Sequence, residues 1–180
     1  MKKYLVIGNP IEHSLSPKLH NYWFEKNNIN ANYDRRKIDK SEIKQIISEI
    51  KDDKLDGINV TVPFKSDVIP FLDALSEESQ ITQSVNTIYK QDKKLIGHNT
   101  DIKGFELSLK ETQFNLENKT IFILGAGGVV PSIIYALEKL GVSKIIVSNR
   151  TKQKTEKLKK YFSNISIADW GDQPEFDMII

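Results

Sequence analysis

Hydrophobic and polar positions along the chain follow two rhythms. Residues 4–7 are a short apolar run closed by Gly8-Asn9-Pro10, which reads as a strand and its turn. Behind Ser16-Pro17, Leu19, Tyr22, Trp23 and Lys26 recur at helical spacing up to Asn27-Asn28. Serine suits the N-cap and proline the first helical position, so Ser16 is expected to cap this helix. Residues 31–38 are a polar strand, and Ser41 is expected to cap a helix carrying Ile43, Ile46, Ile47 and Ile50. Residues 57–65 read as a strand in which Ile58, Val60 and Val62 share one face and Asn59 and Thr61 the other, ending at Pro63. The chain thus opens β-α-β-α-β, the pattern of a parallel sheet covered by helices.

The rhythm continues with a helical turn at Ser76-Glu77-Glu78 and a hairpin of residues 85–89 and 94–96 around Gln91-Asp92-Lys93. A helix then starts at Asp101. Residues 115–118 read as a junction, giving domains 1–115 and 116–180. Thr120-Ile121-Phe122-Ile123-Leu124 is wholly apolar, a strand buried on both faces. It runs into Gly125-Ala126-Gly127-Gly128-Val129-Val130, then an apolar helix closed by Gly141. Strands at Lys144–Ser148, 165–168 and 176–180 complete the set, with a lysine-rich helix between the first two. The fold class expected is α/β: an N-terminal, mostly parallel substrate domain and an incomplete Rossmann-like dinucleotide-binding domain. In the doubly wound order the fourth strand lies beside the first.

Composition narrows the chemistry. Apolar residues at 39% and charged residues at 28% fit a soluble globular protein, and a net charge of +2 argues for neither nucleic acid nor a membrane surface. The chain has no cysteine, which excludes disulfides and thiolate catalysis. His13, His20 and His98 lie far apart, so no metal is expected. The apolar run after Met1-Lys2-Lys3 is too short for a signal peptide, and no stretch approaches the ~20 apolar residues of a membrane span. A cytoplasmic protein is expected, monomer or homodimer, with a small-molecule partner.

Three polar clusters stand at strand ends: Asn59 and Thr61 leading to Lys65, Ser84-Val85-Asn86-Thr87, and Gly97-His98-Asn99-Thr100-Asp101. Alone, the first could be an edge strand with an ordinary surface lysine; the repetition favours a ligand that meets all three. Ser14 stands ahead of the helix cap, where two hydroxyls and nearby N–H groups could hold a carboxylate. Strand, glycine-rich turn, helix and second strand make a dinucleotide fingerprint, although Val130 occupies its third glycine position. An NAD reader carries an acid at the end of the second strand. Here Asn149-Arg150-Thr151 stands there with Lys152 and Lys154, and a guanidinium suits a 2′-phosphate, so NADP is expected.

Ser14-Leu15-Ser16-Pro17 with His20-Asn21, Asn59-Val60-Thr61-Val62-Pro63-Phe64-Lys65, Val85-Asn86-Thr87, Asn99-Thr100-Asp101 with Gly104, Gly125-Ala126-Gly127-Gly128 and Asn149-Arg150-Thr151 occur in this order. The series resembles the shikimate dehydrogenase family over essentially all 180 residues. The resemblance implies reversible NADPH-dependent reduction of 3-dehydroshikimate in chorismate and aromatic amino-acid biosynthesis. It implies that Ser14 and Ser16 bind the substrate carboxylate, that Asn59, Thr61, Asn86 and Asp101 hold ring hydroxyls, and that Lys65 and Asp101 are the catalytic pair. Gly125, Ala126, Gly127, Gly128 and Val129 would cradle the pyrophosphate, Asn149, Arg150, Thr151 and Lys154 the 2′-phosphate, and Glu77 would lie near the nicotinamide. Two departures are Val130-Pro131 at the helix start and the lack of the family's later cofactor strands and returning helices. The 180 residues are therefore expected to be part of a longer polypeptide, binding substrate with little hydride transfer alone. The alternatives are a binding module without turnover and a quinate/shikimate dehydrogenase.

Overall fold

The computed structural model describes residues 1–180. Its elements in order are β1 (Lys2–Gly8), α1 (Ser16–Lys26), β2 (Ala31–Lys37), α2 (Ile43–Lys51), β3 (Gly57–Val60), β4 (Ala74–Leu75), α3 (Glu77–Thr82), β5 (Thr87–Gln91) and β6 (Lys94–His98). There follow α4 (Asp101–Glu111), β7 (Thr120–Leu124), α5 (Val130–Lys139), β8 (Lys144–Ser148), α6 (Lys152–Lys159), β9 (Ile165–Ile167) and β10 (Met178–Ile179). They gather into two units, Met1–Asn99 and Thr100–Ile180. The sequence expectation divided the chain at 115 and 116; α4 packs on α5 and so counts here with the second unit.

In the first unit the sheet order is β2-β1-β3-β5-β6-β4. β1 pairs in parallel with β2 and β3, while β5 runs antiparallel to both β3 and β6. The pleat of β1 sorts its side chains. Leu5 and Ile7 join Ile43, Ile46, Ile47 and Ile50 of α2 in the larger core, and Val6 joins Ile11 and Tyr33 on the opposite face. Each fully buried isoleucine of α2 contributes on the order of 1.5–3 kcal/mol of hydrophobic stabilisation. By contrast α1 has no fully buried residue, and Leu19, Tyr22 and Trp23 are exposed.

Three local expectations are corrected. Ser16 does not cap α1: Leu15 already has helical dihedrals and occupies the cap, so Ser16 is the first helical residue, and Ser14 Oγ accepts its N–H at 3.3 Å. Ser41 does not cap α2; it lies in a 3₁₀ turn, Lys40–Glu42, where the Glu42 carboxylate accepts the Asp39 N–H at 2.7 Å. The strand at residues 57–65 is shorter than expected. Pairing stops at Val60, and Val62, expected to point inward with Ile58 and Val60, is exposed. The loop that follows is held by Thr61 N–H donating to the Ile7 carbonyl and Asn9 N–H to the Val62 carbonyl.

The second unit is a parallel sheet ordered β10-β7-β8-β9, so the fourth strand does lie beside the first. Ile121, Ile123, Ile145 and Val147 pack with Ile133, Ile134 and Leu137 of α5 and Leu158 of α6. Phe122 points to the other face, where Phe176 lies 5.7 Å away, ring to ring. Gly141 ends α5 with φ +78°, the left-handed conformation that favours glycine.

Gly8 is where β1 meets the Thr61 loop. A Cβ there would stand 2.6 Å from Thr61 Cγ2, 3.0 Å from the Val62 carbonyl oxygen and 3.2 Å from Ile11 Cδ1. Gly8→Ala is therefore expected to lower unfolding free energy by about 1–3 kcal/mol, the usual cost of overpacking. Urea denaturation of the two proteins measures it, and equal midpoints would show that the loop yields freely.

Candidate active site

The first unit assembles its polar residues at the loop ends of β1 and β3. Ser14, Ser16 and Thr61 line one open pocket of about 280 Å³ with Val6, Pro10, Ile11 and His13. Proline in the first turn starts α1 immediately after Ser14-Leu15, which brings both serines to one side. Arg35 Nη1 donates to the Ser14 carbonyl at 3.3 Å and ties this loop to β2. Two hydroxyls, a helix start and a nearby guanidinium suit a carboxylate.

Asn59, on β3, is bound on three sides. Its Oδ1 accepts the Tyr33 hydroxyl at 2.6 Å, and its Nδ2 donates to the Asn86 carbonyl at 3.1 Å and to Thr87 Oγ1 at 3.0 Å. The Thr87 hydroxyl in turn donates to Asn86 Oδ1 at 2.9 Å. Parallel pairing of β1 with β2 and β3, and antiparallel pairing of β3 with β5, make this possible by bringing Tyr33, Asn59 and Thr87 across adjacent strands. Asn21, in the sequence motif but without an assigned role, brackets Tyr33: it donates to the Tyr33 carbonyl at 2.8 Å and accepts its N–H at 2.9 Å. Burial pushes the Tyr33 phenol well above its ordinary pKa, so it remains a donor.

Lys65 lies half-buried in the loop after β3, and its carbonyl accepts the Val85 N–H at 2.8 Å. That bond joins the lysine's loop to the Ser84–Asn86 segment. Asn99 is buried and donates to the Ser84 carbonyl at 3.0 Å, holding the same segment from β6's end. Glu77 is exposed in the first turn of α3. Sequence reasoning gave Tyr33 and Thr87 no role. Thr87 stood inside a quoted motif, while Tyr33 was a lone aromatic in a polar strand, a signal that marks burial but not its partner.

In the second unit Asp101 is the first residue of α4, with Thr100 at the cap position. Gly125 follows β7 with φ +135°, open to glycine and few others, and its N–H donates to the Ser148 carbonyl at 2.8 Å. At Gly127 and Gly128 an added Cβ would meet nothing within 4 Å. That open space ahead of α5 lets a ligand approach the backbone closely, so the turn fits a dinucleotide. Ala126 packs against the core and Val129 is exposed. After β8, Asn149 Nδ2 donates to the Thr151 carbonyl at 3.0 Å. Lys152 pairs with Asp169 at 2.7 Å, which raises the lysine's pKa. Arg150 and Lys154 are exposed, with no ion pair to compete for an anion.

The sequence pattern of the shikimate dehydrogenase substrate-binding domain matches residues 6–88, and that of shikimate/quinate 5-dehydrogenase matches residues 106–172. The chain is 60% identical over 179 residues to a shikimate dehydrogenase (NADP(+)) of Pelagibacter ubique, covering 99% of this chain and 68% of that one. The chain belongs to the shikimate dehydrogenase family. Among solved structures, shikimate dehydrogenase from Aquifex aeolicus superposes with TM-score 0.87 at 40% identity, covering 93% of this chain and 62% of that one. The Thermus thermophilus enzyme, in complex with NADP(H) and shikimate, gives TM-score 0.84 at 30% identity, covering 93% and 63%. This chain thus spans about two thirds of the length of the relatives it matches. No helix is long and apolar enough to cross a membrane.

Tyr33 also carries His20 on its face, the rings stacked at 4.2 Å and 9°. Burial holds the His20 pKa below its ordinary value. The unfolded chain therefore binds more protons than the folded one as pH falls through about 6.5, and folding stability falls with it. His20→Gln should lose less stability than the parent between pH 7.5 and 5. Denaturant midpoints at the two pH values measure this, and parallel losses would remove His20 from the effect.

Proposed function

We propose that this chain binds shikimate and NADP and takes part in the reversible NADP-dependent oxidation of shikimate to 3-dehydroshikimate. The observation that carries the reading is the 60% identity to a shikimate dehydrogenase (NADP(+)) over nearly the whole chain. Ser14, Ser16 and Thr61 share one pocket, and the Asn59–Thr87–Asn86 chain stands on the same sheet. Shikimate is a ring with one carboxylate and three hydroxyls, which these hydroxyl and amide groups suit.

In this reading Ser14 and Ser16 hold the carboxylate through their hydroxyls. Thr61, Asn59, Asn86 and Asp101 take the ring hydroxyls. The resemblance implies Lys65 and Asp101 as the catalytic pair, and the proposal keeps that assignment. As an ammonium, Lys65 supplies the proton to the oxygen formed on ketone reduction and stabilises its developing negative charge; in the reverse direction it receives that proton as the amine. Bound NADP would accept or deliver the hydride. Gly125 to Val129 would hold its pyrophosphate and Asn149, Arg150, Thr151 and Lys154 its 2′-phosphate, with Glu77 toward the nicotinamide. An arginine in place of the acid that reads a ribose 2′-hydroxyl favours NADP over NAD. The protein works in the cytoplasm, as monomer or homodimer.

Lys65→Met keeps the length of the side chain and removes its charge. In the full polypeptide carrying this sequence, turnover should fall at least ~100-fold while shikimate affinity changes only a few-fold. Steady-state rates with shikimate and NADP+, and calorimetric titration with shikimate, measure the two. Near-parental turnover would remove the lysine from proton transfer, and an equal rate with NAD+ would reverse the cofactor assignment.

A further inference from the structure

The loop that carries Ser14 and Ser16 is fixed at several points. Ile11 is buried against Val6 and Tyr33, which anchors the chain soon after it leaves β1. The Ser14 N–H donates to the Ile11 carbonyl at 3.0 Å, closing a tight turn with Glu12 and His13 as its central residues. Arg35 holds the Ser14 carbonyl, and Ser14 Oγ accepts the Ser16 N–H. His13 thus extends from a backbone that no ligand has to order, and it lines the same pocket as Ser14, Ser16 and Thr61. It is exposed, and no hydrogen bond or ion pair within the chain engages its ring. The acid beside it is engaged: Glu12 pairs with Lys37 Nζ at 3.2 Å through one oxygen and accepts the Ile11 N–H at 3.0 Å through the other.

Resting on the shikimate reading above, we propose that His13 is a further substrate-binding residue, donating a ring N–H to the substrate carboxylate beside Ser14 and Ser16. A carboxylate offers about four acceptor sites. The Ser14 hydroxyl, which accepts the Ser16 N–H, keeps its own proton to donate, and the Ser16 hydroxyl supplies a second donor. Two hydroxyls serve an alcohol as well as an acid, because each can both donate and accept. A third donor changes that balance, since a hydrogen bond to an ionised acceptor is roughly twice as strong as one between neutral groups. His13 therefore favours the acid over an uncharged ligand of the same shape.

The test is calorimetric titration of the 180-residue chain, as parent, His13→Phe and His13→Gln, with shikimate and with the analogue carrying a hydroxymethyl group in place of the carboxylate. His13→Phe keeps a ring and removes the donor, so it should bind shikimate about three- to tenfold more weakly, the effect of one lost hydrogen bond. Its affinity for the alcohol should stay that of the parent. His13→Gln, which keeps an N–H donor, should restore most of the loss. A role in holding the loop would weaken acid and alcohol alike, and that result would overturn the proposal. Parental shikimate affinity in His13→Phe, or no recovery in His13→Gln, would overturn it too. A second readout does not depend on shikimate. The His13 ring signals in the ¹H–¹³C spectrum, assigned by their loss in His13→Gln, should move on titration with cyclohexene carboxylate and stay in place with cyclohexenylmethanol. If the parent does not bind shikimate, the functional reading fails, and these signals alone decide the role of His13. Signals that the carboxylate leaves unmoved would refute it.

Discussion

The side-chain amide of Asn59 is the constraint on which the first unit depends. It stands on β3, between β1 and β5, and joins a phenol on β2 to a hydroxyl and a carbonyl at the start of β5. A half-buried amide left unsatisfied costs on the order of 1–3 kcal/mol, so each partner holds the others in place. The four-residue β3 is paired on both sides, and the network adds side-chain bonds across the same strands. Around it the loops are tied back at separate points: Ser14 by Arg35, Thr61 by Ile7, Lys65 by Val85, and Ser84 by Asn99. The isoleucines of α2 stabilise the opposite face of the sheet and leave the polar ends free to differ.

The second unit is arranged by a different rule. Its strands are apolar, with Ile121, Ile123, Val147 and Leu137 in a core on one face of the sheet and Phe122 against Phe176 on the other. What chemistry it has lies in the backbone turn after β7 and in the charges after β8. Gly127 and Gly128 leave space where side chains would stand. Lys152 is neutralised by Asp169, so the basic character of the second loop falls to Arg150 and Lys154.

Much of this was legible in the residues. The period-two and period-3.6 patterns placed most elements within a few positions, and the parallel order of the second sheet followed from its strand–helix alternation. Polar clusters at strand ends pointed to Thr61 and Asn86, because a turn at a strand end is where backbone and side chain are both accessible, and Ser14 drew notice from its place ahead of the expected helix cap. Caps were less legible. Ser16 and Ser41 have the chemistry of caps, but the chain enters the helix one residue before Ser16 and passes through a 3₁₀ turn at Ser41. A cap depends on the dihedrals of the residue before it, which side-chain identity does not fix. The extent of β3 was misjudged because alternation continues to Val62 after pairing has stopped at Val60. Tyr33 and Thr87 were invisible as partners, since only strand register brings residues 33, 59 and 87 together. The short β4, which pairs with β6 through two residues, has no sequence period to reveal it.

The central claim is that Asn59 holds the substrate groups of the first unit together and leaves the nucleotide turn of the second to work independently. Asn59→Asp keeps the shape and the acceptor facing Tyr33 and removes both N–H donors, so it separates these functions. Calorimetric titration of the purified parent and variant, once with shikimate and once with NADP+, is the most direct measurement. The account predicts that the parent binds shikimate and that the variant loses at least tenfold in shikimate affinity, with NADP+ affinity unchanged. Equal shikimate affinity in the two proteins, or a parallel loss of both ligands, would contradict it.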